Sequence, residues 1–457
     1  MKKLIIQFIV LLLPFFSVAQ DKPNILVIIT DQHSGKFMTQ TGYPYLNTPG
    51  IDKLADHGVT FTRGYCAYPV CMASRAAMIT GVMPSKSSEM TTSYESIGHK
   101  MKNNGYETAF FGKWHVASTK MKSTEEWHGF DTYKDSRRDK ETQNLSVNFV
   151  KKKHNKPFFM VTSYLNPHDC CGLARKISNL KDKYHDEPVN HNVPLDQCPP
   201  LPDNFEIPKD EAEGFYVRRS PDSTDMKMYR KHPVAYWKEK EWRQYMYGYD
   251  RLVEMVDRHV YNLVNTLEKE GKLDNTIIFY TADHGDGHAA HQWNQKMTFY
   301  EESINVPFII SWKGKIKKGI IDKKTLVNSG LDLYTTICSL AEIDAEDRLG
   351  KDLSKVIDTN EMINRDYVIS EMIQPGFTNE DKTPYIGRMV VSEDYKYFIF
   401  DKGENREQLF DIKNDPGELK NLSKDANYTK QLNRHRAYLR EWIESSDDNF
   451  YLKLPVE

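Results

Sequence analysis

Short runs of apolar, β-branched and aromatic residues alternate along the chain with stretches whose apolar positions recur every three or four residues. The runs NILVIIT (24–30), TAFF (108–111), PFFMVTSY (157–164) and NTIIFYTA (275–282) are apolar on both alternating faces, which predicts strands covered by helices on two sides. Between them, residues 48–57 and 242–275 carry helical spacing, the second ending near Gly271. The prediction is an α/β fold with a large, mostly parallel sheet. Residues from about 170 to 240 are rich in charge, Pro and His with weak periodicity, and read as an insertion over the sheet edge whose His185, His191 and His232 are surface residues. After about residue 375 the pattern changes. RMVVSEDYKYFIFD and EQLFDIKNDPGE predict two or three antiparallel strands with a turn at Asp415-Pro416-Gly417, followed by an amphipathic last helix. This gives a main domain over 20–375 and a smaller α+β subdomain over 376–457.

The residues just past each strand matter more than the strands. NILVIIT ends at Asp31-Gln32-His33, TAFF at Gly112-Lys113-Trp114-His115, PFFMVTSY at Asn166-Pro167-His168-Asp169, and NTIIFYTA at Asp283-His284-Gly285-Asp286. In open α/β sheets ligands bind beyond the carboxyl ends of the strands. Any one of these residues could be a helix cap or a turn residue. Four polar clusters at four strand ends point to a site. His33 and Trp114 carry no assigned chemistry and are read as structural.

Composition narrows the partners. The 62 basic and 64 acidic residues give a net charge of −2, so bulk charge argues against a nucleic-acid or anionic-membrane surface. The first twenty residues, MKKLIIQFIVLLLPFFSVAQ, have two lysines, a Pro-broken apolar stretch and small residues before Gln20, the pattern of a signal peptide over 1–19. The expectation is an exported protein, periplasmic or secreted, with no membrane span in the mature chain. Six cysteines are too few for a disulfide scaffold, none lies in a zinc-type spacing, and at most one or two disulfides are expected.

Cys71 stands before SRAAMI, a short helix stopped near Gly81. The helix N-terminus and Arg75 favour an anion there. A small buried thiol and a thiolate nucleophile both fit that setting. The surrounding CMASRAAMITG resembles the signature of the type I, formylglycine-dependent sulfatases of the alkaline phosphatase-like superfamily. NILVIITDQ, GKWH, NPHD, TADHGD, KMTFYEESINVPFII and QLFDIKNDPGELKNL are similar to further segments of that family, across most of the chain.

The resemblance implies an α/β/α sandwich and hydrolysis of sulfate esters, here on fragments of sulfated polysaccharide, whether algal (ulvan) or glycosaminoglycan. It implies that a maturase oxidises Cys71 to formylglycine (3-oxoalanine), whose hydrate attacks sulfur. A calcium ion, with manganese or another divalent ion as alternatives, would be held by Asp31, Gln32, Asp283, His284 and residue 71. Arg75 and Lys113 would stabilise developing charge, and His115 would deprotonate the hydrate's second hydroxyl. His168 and Lys296 would bind the substrate. Gln32, His284 and Asn305 depart from frequent choices in the family. The Asp-Gln with Asp-His pairing also occurs in relatives that cleave phosphonate monoesters and phosphodiesters, which makes such a hydrolase the second reading. A non-catalytic binder of sulfated glycans with unconverted Cys71 is the third. The 4-nitrophenyl sulfate and phosphate esters separate the first two.

Overall fold

The computed structural model describes residues 22–87, 94–116, 127–180, 183–215, 233–345, 348–359, 363–374 and 383–446, with 448 and 450. The expected leader and His232 lie outside them. Eight strands form the main sheet: β1 (Asn24–Asp31), β2 (Gly58–Phe61), β4 (Glu107–Gly112), β5 (Thr132–Asp135), β6 (Phe158–Pro167), β7 (Thr276–Ala282), β8 (Phe308–Ser311) and β9 (Ile320–Asp322). Their order is β5-β4-β6-β1-β7-β8-β2-β9, and β8 alone runs against the rest. A short parallel pair, β3 (Gly64–Tyr65) and β10 (Val327–Asn328), lies apart.

Alternation along β1 shows why the sheet needs two helical layers. Ile25, Val27 and Ile29 enter one core cluster with residues of α2 (Cys71–Thr80) and α6 (Leu331–Leu340). Leu26 and Ile28 enter another with residues of α1 (Pro49–Asp56), α3 (Asp139–Lys151) and α5 (Glu239–Lys269). Each apolar side chain leaves water whichever way it points, and both faces contribute hydrophobic free energy. The long helix expected at 242–275 is α5, which starts earlier and stops at Lys269. The short α4 (Cys170–Ile177), just past β6, packs against it, with Leu173 in one cluster with Tyr245, Tyr249 and Leu252. Residues of the insertion lie along α5 as well: the Arg243 guanidinium donates to the carbonyls of Leu195, Cys198 and Pro199.

The C-terminal sheet has four antiparallel strands, β11 (Val368–Gln374), β12 (Tyr385–Val391), β13 (Tyr395–Phe400) and β14 (Glu407–Asp411). It therefore begins ahead of the boundary expected at 376. Glu371, buried in the middle of β11, breaks the apolar pattern; Ser85 donates to both of its oxygens at 2.8 Å. One face of this sheet packs on α7 (Thr429–Ser446) through Ile399, Leu409, Leu439 and Ile443. The other face, with Met389, Phe398 and Phe400, packs on Trp293 and Phe299 of the main domain.

Candidate active site

The carboxyl ends of β1, β4, β6 and β7 converge on the N-terminus of α2, where Cys71 is the first helical residue. Gly81 closes that helix with φ 68°, its N–H donating to the Ala77 carbonyl. Gly112 ends β4 with φ 104°, and a Cβ there would meet the Ser163 carbonyl oxygen at 1.9 Å. Only glycine permits that approach. It lets the Lys113 N–H donate to the Ser163 carbonyl at 2.9 Å and delivers the Lys113 ammonium to Asp31 Oδ2.

Arg75, one turn into α2, is the hub. Its Nε donates to Asp283 Oδ2 at 2.7 Å and its Nη2 to Asp31 Oδ2 at 3.1 Å. Nη1 donates to the Lys113 carbonyl and to Ser163 Oγ, both at 2.7 Å. One buried guanidinium thus fixes the ends of four strands relative to Cys71. Ser163 was not singled out from sequence. Its only signal is a polar residue toward the end of a mostly apolar strand.

Two lysines surround Cys71 without touching each other's partners. Lys296 Nζ donates to Cys71 Sγ at 3.0 Å, while Lys113 is paired with Asp31. His115 stands close to the Cys71 sulfur, and a His284 ring nitrogen lies within 4.8 Å of it. Burial pushes the Cys71 thiol up, but the two ammonium groups outweigh it and hold the pKa well below the ordinary thiol range. Burial works against charge on Lys296, yet the Cys71 sulfur and the Asp31 carboxylate raise its pKa. Burial, then Lys113, holds the His168 imidazole well below its usual range. Lys296 arrives on a loop where His288, Ala289, His291, Gln292, Gln295 and Met297 all have positive φ. Non-glycine residues rarely adopt this backbone, and such strain concentrates at functional sites. Met297 N–H anchors the loop on the Pro69 carbonyl, beside Cys71.

Ligand atoms of Asp31, Cys71, Asp283 and His284 lie within 4.8 Å of one another, all buried. Two of them, Asp31 Oδ1 and His284 Nε2, have no hydrogen-bond partner. Buried polar atoms without partners are costly, and a cation would satisfy both. The two carboxylates also need one: burial and the Asp31 charge push Asp283 up, while Asp31 is held down by Lys113 against its own burial. Oxygen donors with one imidazole suit a hard divalent ion. The residues present therefore fit a metal. Gln32 joins differently from its neighbours. At φ 76°, its N–H donates to Asp283 Oδ1 at 3.1 Å, and its carboxamide nitrogen donates to Asp286 Oδ2 at 2.7 Å and lies 3.1 Å from Cys170 Sγ. Its carboxamide oxygen is the atom it can offer an ion. Asp286 also accepts from the Tyr245 hydroxyl at 2.9 Å and from the His288 N–H at 2.8 Å, a role sequence reasoning missed although Asp286 closes the DHGD run. If a divalent ion fills this cluster, chelation with EDTA should lower the melting temperature, and readding calcium should restore it. A hundredfold excess over Kd corresponds to about 2.7 kcal/mol.

His33 is structural, as expected: its nitrogens pair with the Tyr280 hydroxyl and the Phe37 carbonyl, each at 2.9 Å. Trp114 packs in the core. All six cysteines are free and buried. His185 lies at the surface, as expected, and Asp169 Oδ1 also binds its Nδ1 at 2.7 Å.

A family model described as Sulfatase matches residues 23–343, and one described as N-sulphoglucosamine sulphohydrolase, C-terminal, matches 289–445. The chain belongs to the sulfatase family. It is a sulfuric ester hydrolase with an alkaline phosphatase-like α/β fold. This sulfatase is 31% identical over 456 residues to a Delta 4,5-hexuronate-2-O-sulfatase of Bacteroides thetaiotaomicron, covering 94% of this chain and 91% of the relative. A 2-O GAG sulfatase of known structure superposes with TM-score 0.79 at 29% identity, covering 96% and 95% of the two chains. A phosphonate monoester hydrolase of Agrobacterium radiobacter superposes with TM-score 0.74 at 18% identity, over 93% and 96%, a likeness that speaks to the fold.

Proposed function

We propose that this sulfatase is exported and removes sulfate from hexuronate-containing, glycosaminoglycan-type oligosaccharides, with Cys71 converted to formylglycine. One observation carries the reading: Cys71 sits at a helix N-terminus with Lys296 at 3.0 Å and the buried Asp31, Asp283 and His284 ligand atoms within 4.8 Å. An oxygen nucleophile at that position is flanked by the cationic side chains and metal-ligating atoms that sulfate-ester hydrolysis uses. Support for the sugar comes from the hexuronate sulfatase and GAG sulfatase relatives. An ulvan-active sulfatase of Formosa agariphila is more distant at 25% identity, over 94% of this chain and 82% of that relative. Export rests on the leader pattern at 1–19, and a mature chain starting at Gln20 would check it.

Asp31, Asp283, His284, the Gln32 oxygen and residue 71 would hold the divalent ion, for which calcium is the first choice. Formylglycine as its hydrate supplies the nucleophilic oxygen, and the ion supplies Lewis acidity. The remaining work belongs to this chain's own side chains. Lys296 and Lys113 place positive charge where the sulfuryl oxygens gather negative charge. Arg75 keeps the Asp31 and Asp283 carboxylates apart and oriented. His115, close to Cys71, takes a proton from the group at position 71. His168, largely uncharged, hydrogen-bonds the ester oxygen of the departing sugar.

Desulfation of a panel of defined sulfated oligosaccharides, by enzyme made with its maturase, tests the assignment. Release of 2-O-sulfate from a hexuronate is expected. Turnover confined to sulfated hexosamines or to phosphonate monoesters would overturn it.

A further inference from the structure

The insertion is tied to the edge of the catalytic pocket at Asp169. Asp169, the residue after His168, is 1% exposed, and the stretch at 185–186 takes both of its oxygens. Oδ1 accepts from His185 Nδ1 at 2.7 Å; Oδ2 accepts from the His185 N–H at 2.9 Å and the Asp186 N–H at 3.2 Å. A carboxylate that holds an imidazole by Nδ1 fixes the tautomer and leaves Nε2 as the atom the ring offers.

The His185 ring stands 6.1 Å from the His168 ring, centroid to centroid, at 69°. A nitrogen of each imidazole and an Asp169 oxygen lie within 4.8 Å of one another. The His185 side chain is nonetheless 40% exposed. It is pinned beside the residue that meets the ester oxygen and is open to whatever enters from solvent.

We infer that His185 is a substrate-recognition residue whose imidazole binds the carboxylate of the sugar that bears the scissile sulfate. This rests on the hexuronate reading of the substrate. Lys113 and Lys296 are already committed around Cys71 and its sulfate. A second anion on the same sugar ring needs a donor a few ångströms outside that cluster, and His185 is placed there. With Nδ1–H on Asp169, a protonated ring presents Nε2–H to the carboxylate as a charge-assisted hydrogen bond. Asp169 positions the ring and fixes the loop that carries it.

The test compares the wild type, His185→Ala and His185→Gln on three substrates. These are a 2-O-sulfated unsaturated hexuronate disaccharide, its carboxyl-reduced counterpart and 4-nitrophenyl sulfate. His185→Ala should lose on the order of 10- to 100-fold in kcat/KM on the carboxylate substrate, mainly through KM, as loss of a charged hydrogen bond requires. It should stay near wild type on the other two. His185→Gln, which keeps an N–H near Nε2, should recover part of the loss. Equal losses on all three substrates would overturn the proposal, because the ring would then act only through Asp169 and His168. An unchanged kcat/KM on the carboxylate substrate would overturn it as well. Wild-type enzyme that turns over 4-nitrophenyl sulfate but not the hexuronate would sink the substrate reading, and the carboxylate partner with it, before any variant is made.

Discussion

Cys71→Ala is expected to abolish sulfate-ester turnover, by on the order of 10⁴-fold or more, while the protein stays folded. Lys296 donates to the group at position 71, His115 and His284 stand beside it, and the Asp31 and Asp283 carboxylates lie within 4.8 Å. The Ser163 hydroxyl nearby is engaged with Arg75 and the Lys113 carbonyl. Alanine leaves those groups in place and removes the reacting atom. The stability cost is small, because α2 is built on Ala76, Ala77, Met78 and Ile79 and capped by Gly81, none of which depends on the thiol. Truncating one buried small side chain costs about 1 kcal/mol. Steady-state kinetics with a melting curve on the same preparation checks turnover and fold together. Residual turnover within tenfold of wild type would remove residue 71 from the chemistry.

Lys113→Ala should produce the next largest loss, on the order of 10²- to 10³-fold in kcat, as removal of one preorganised charged donor typically does. KM for a small aryl sulfate should move less than kcat. The lysine is 2% exposed, and its ammonium bonds Asp31 Oδ2. Its removal therefore strips a charge from the cluster around Cys71 and takes away the cation that most lowers the Asp31 pKa. Lys113→Arg should recover little. The guanidinium is larger and planar, and the position is hemmed in by Arg75, whose Nη1 already holds the Lys113 carbonyl at 2.7 Å. A near-wild-type kcat for Lys113→Ala would withdraw the role.

Asp31, Lys113, His168 and Asp283 were legible because each comes after an apolar run that could only be a buried strand. The rule that ligands bind beyond strand ends then gathers them. Cys71 and Arg75 stood out from the residues as an anion-favouring helix N-terminus, their catalytic roles and Lys296 came from segment resemblance, and the structure brings all three to the same point. The residues that escaped the sequence are those whose work is to hold others. Ser163 is a polar interruption in a strand, and Asp286 reads as the end of a turn. Asp169 is adjacent to a motif histidine but binds a residue sixteen positions later in the chain. Buried hydrogen bonds across such separations leave no periodicity to detect. The start of β11 was hidden for the same reason: buried Glu371 breaks an apolar pattern that its partners Ser85 and Arg388 make tolerable.

The most direct measurement is the mass of the peptide containing residue 71, taken from protein made alongside a formylglycine-generating maturase. The account predicts a peptide about 18 Da lighter than the thiol form, as replacement of CH2SH by CHO requires. Fully active enzyme whose peptide carries the unmodified thiol mass would contradict it.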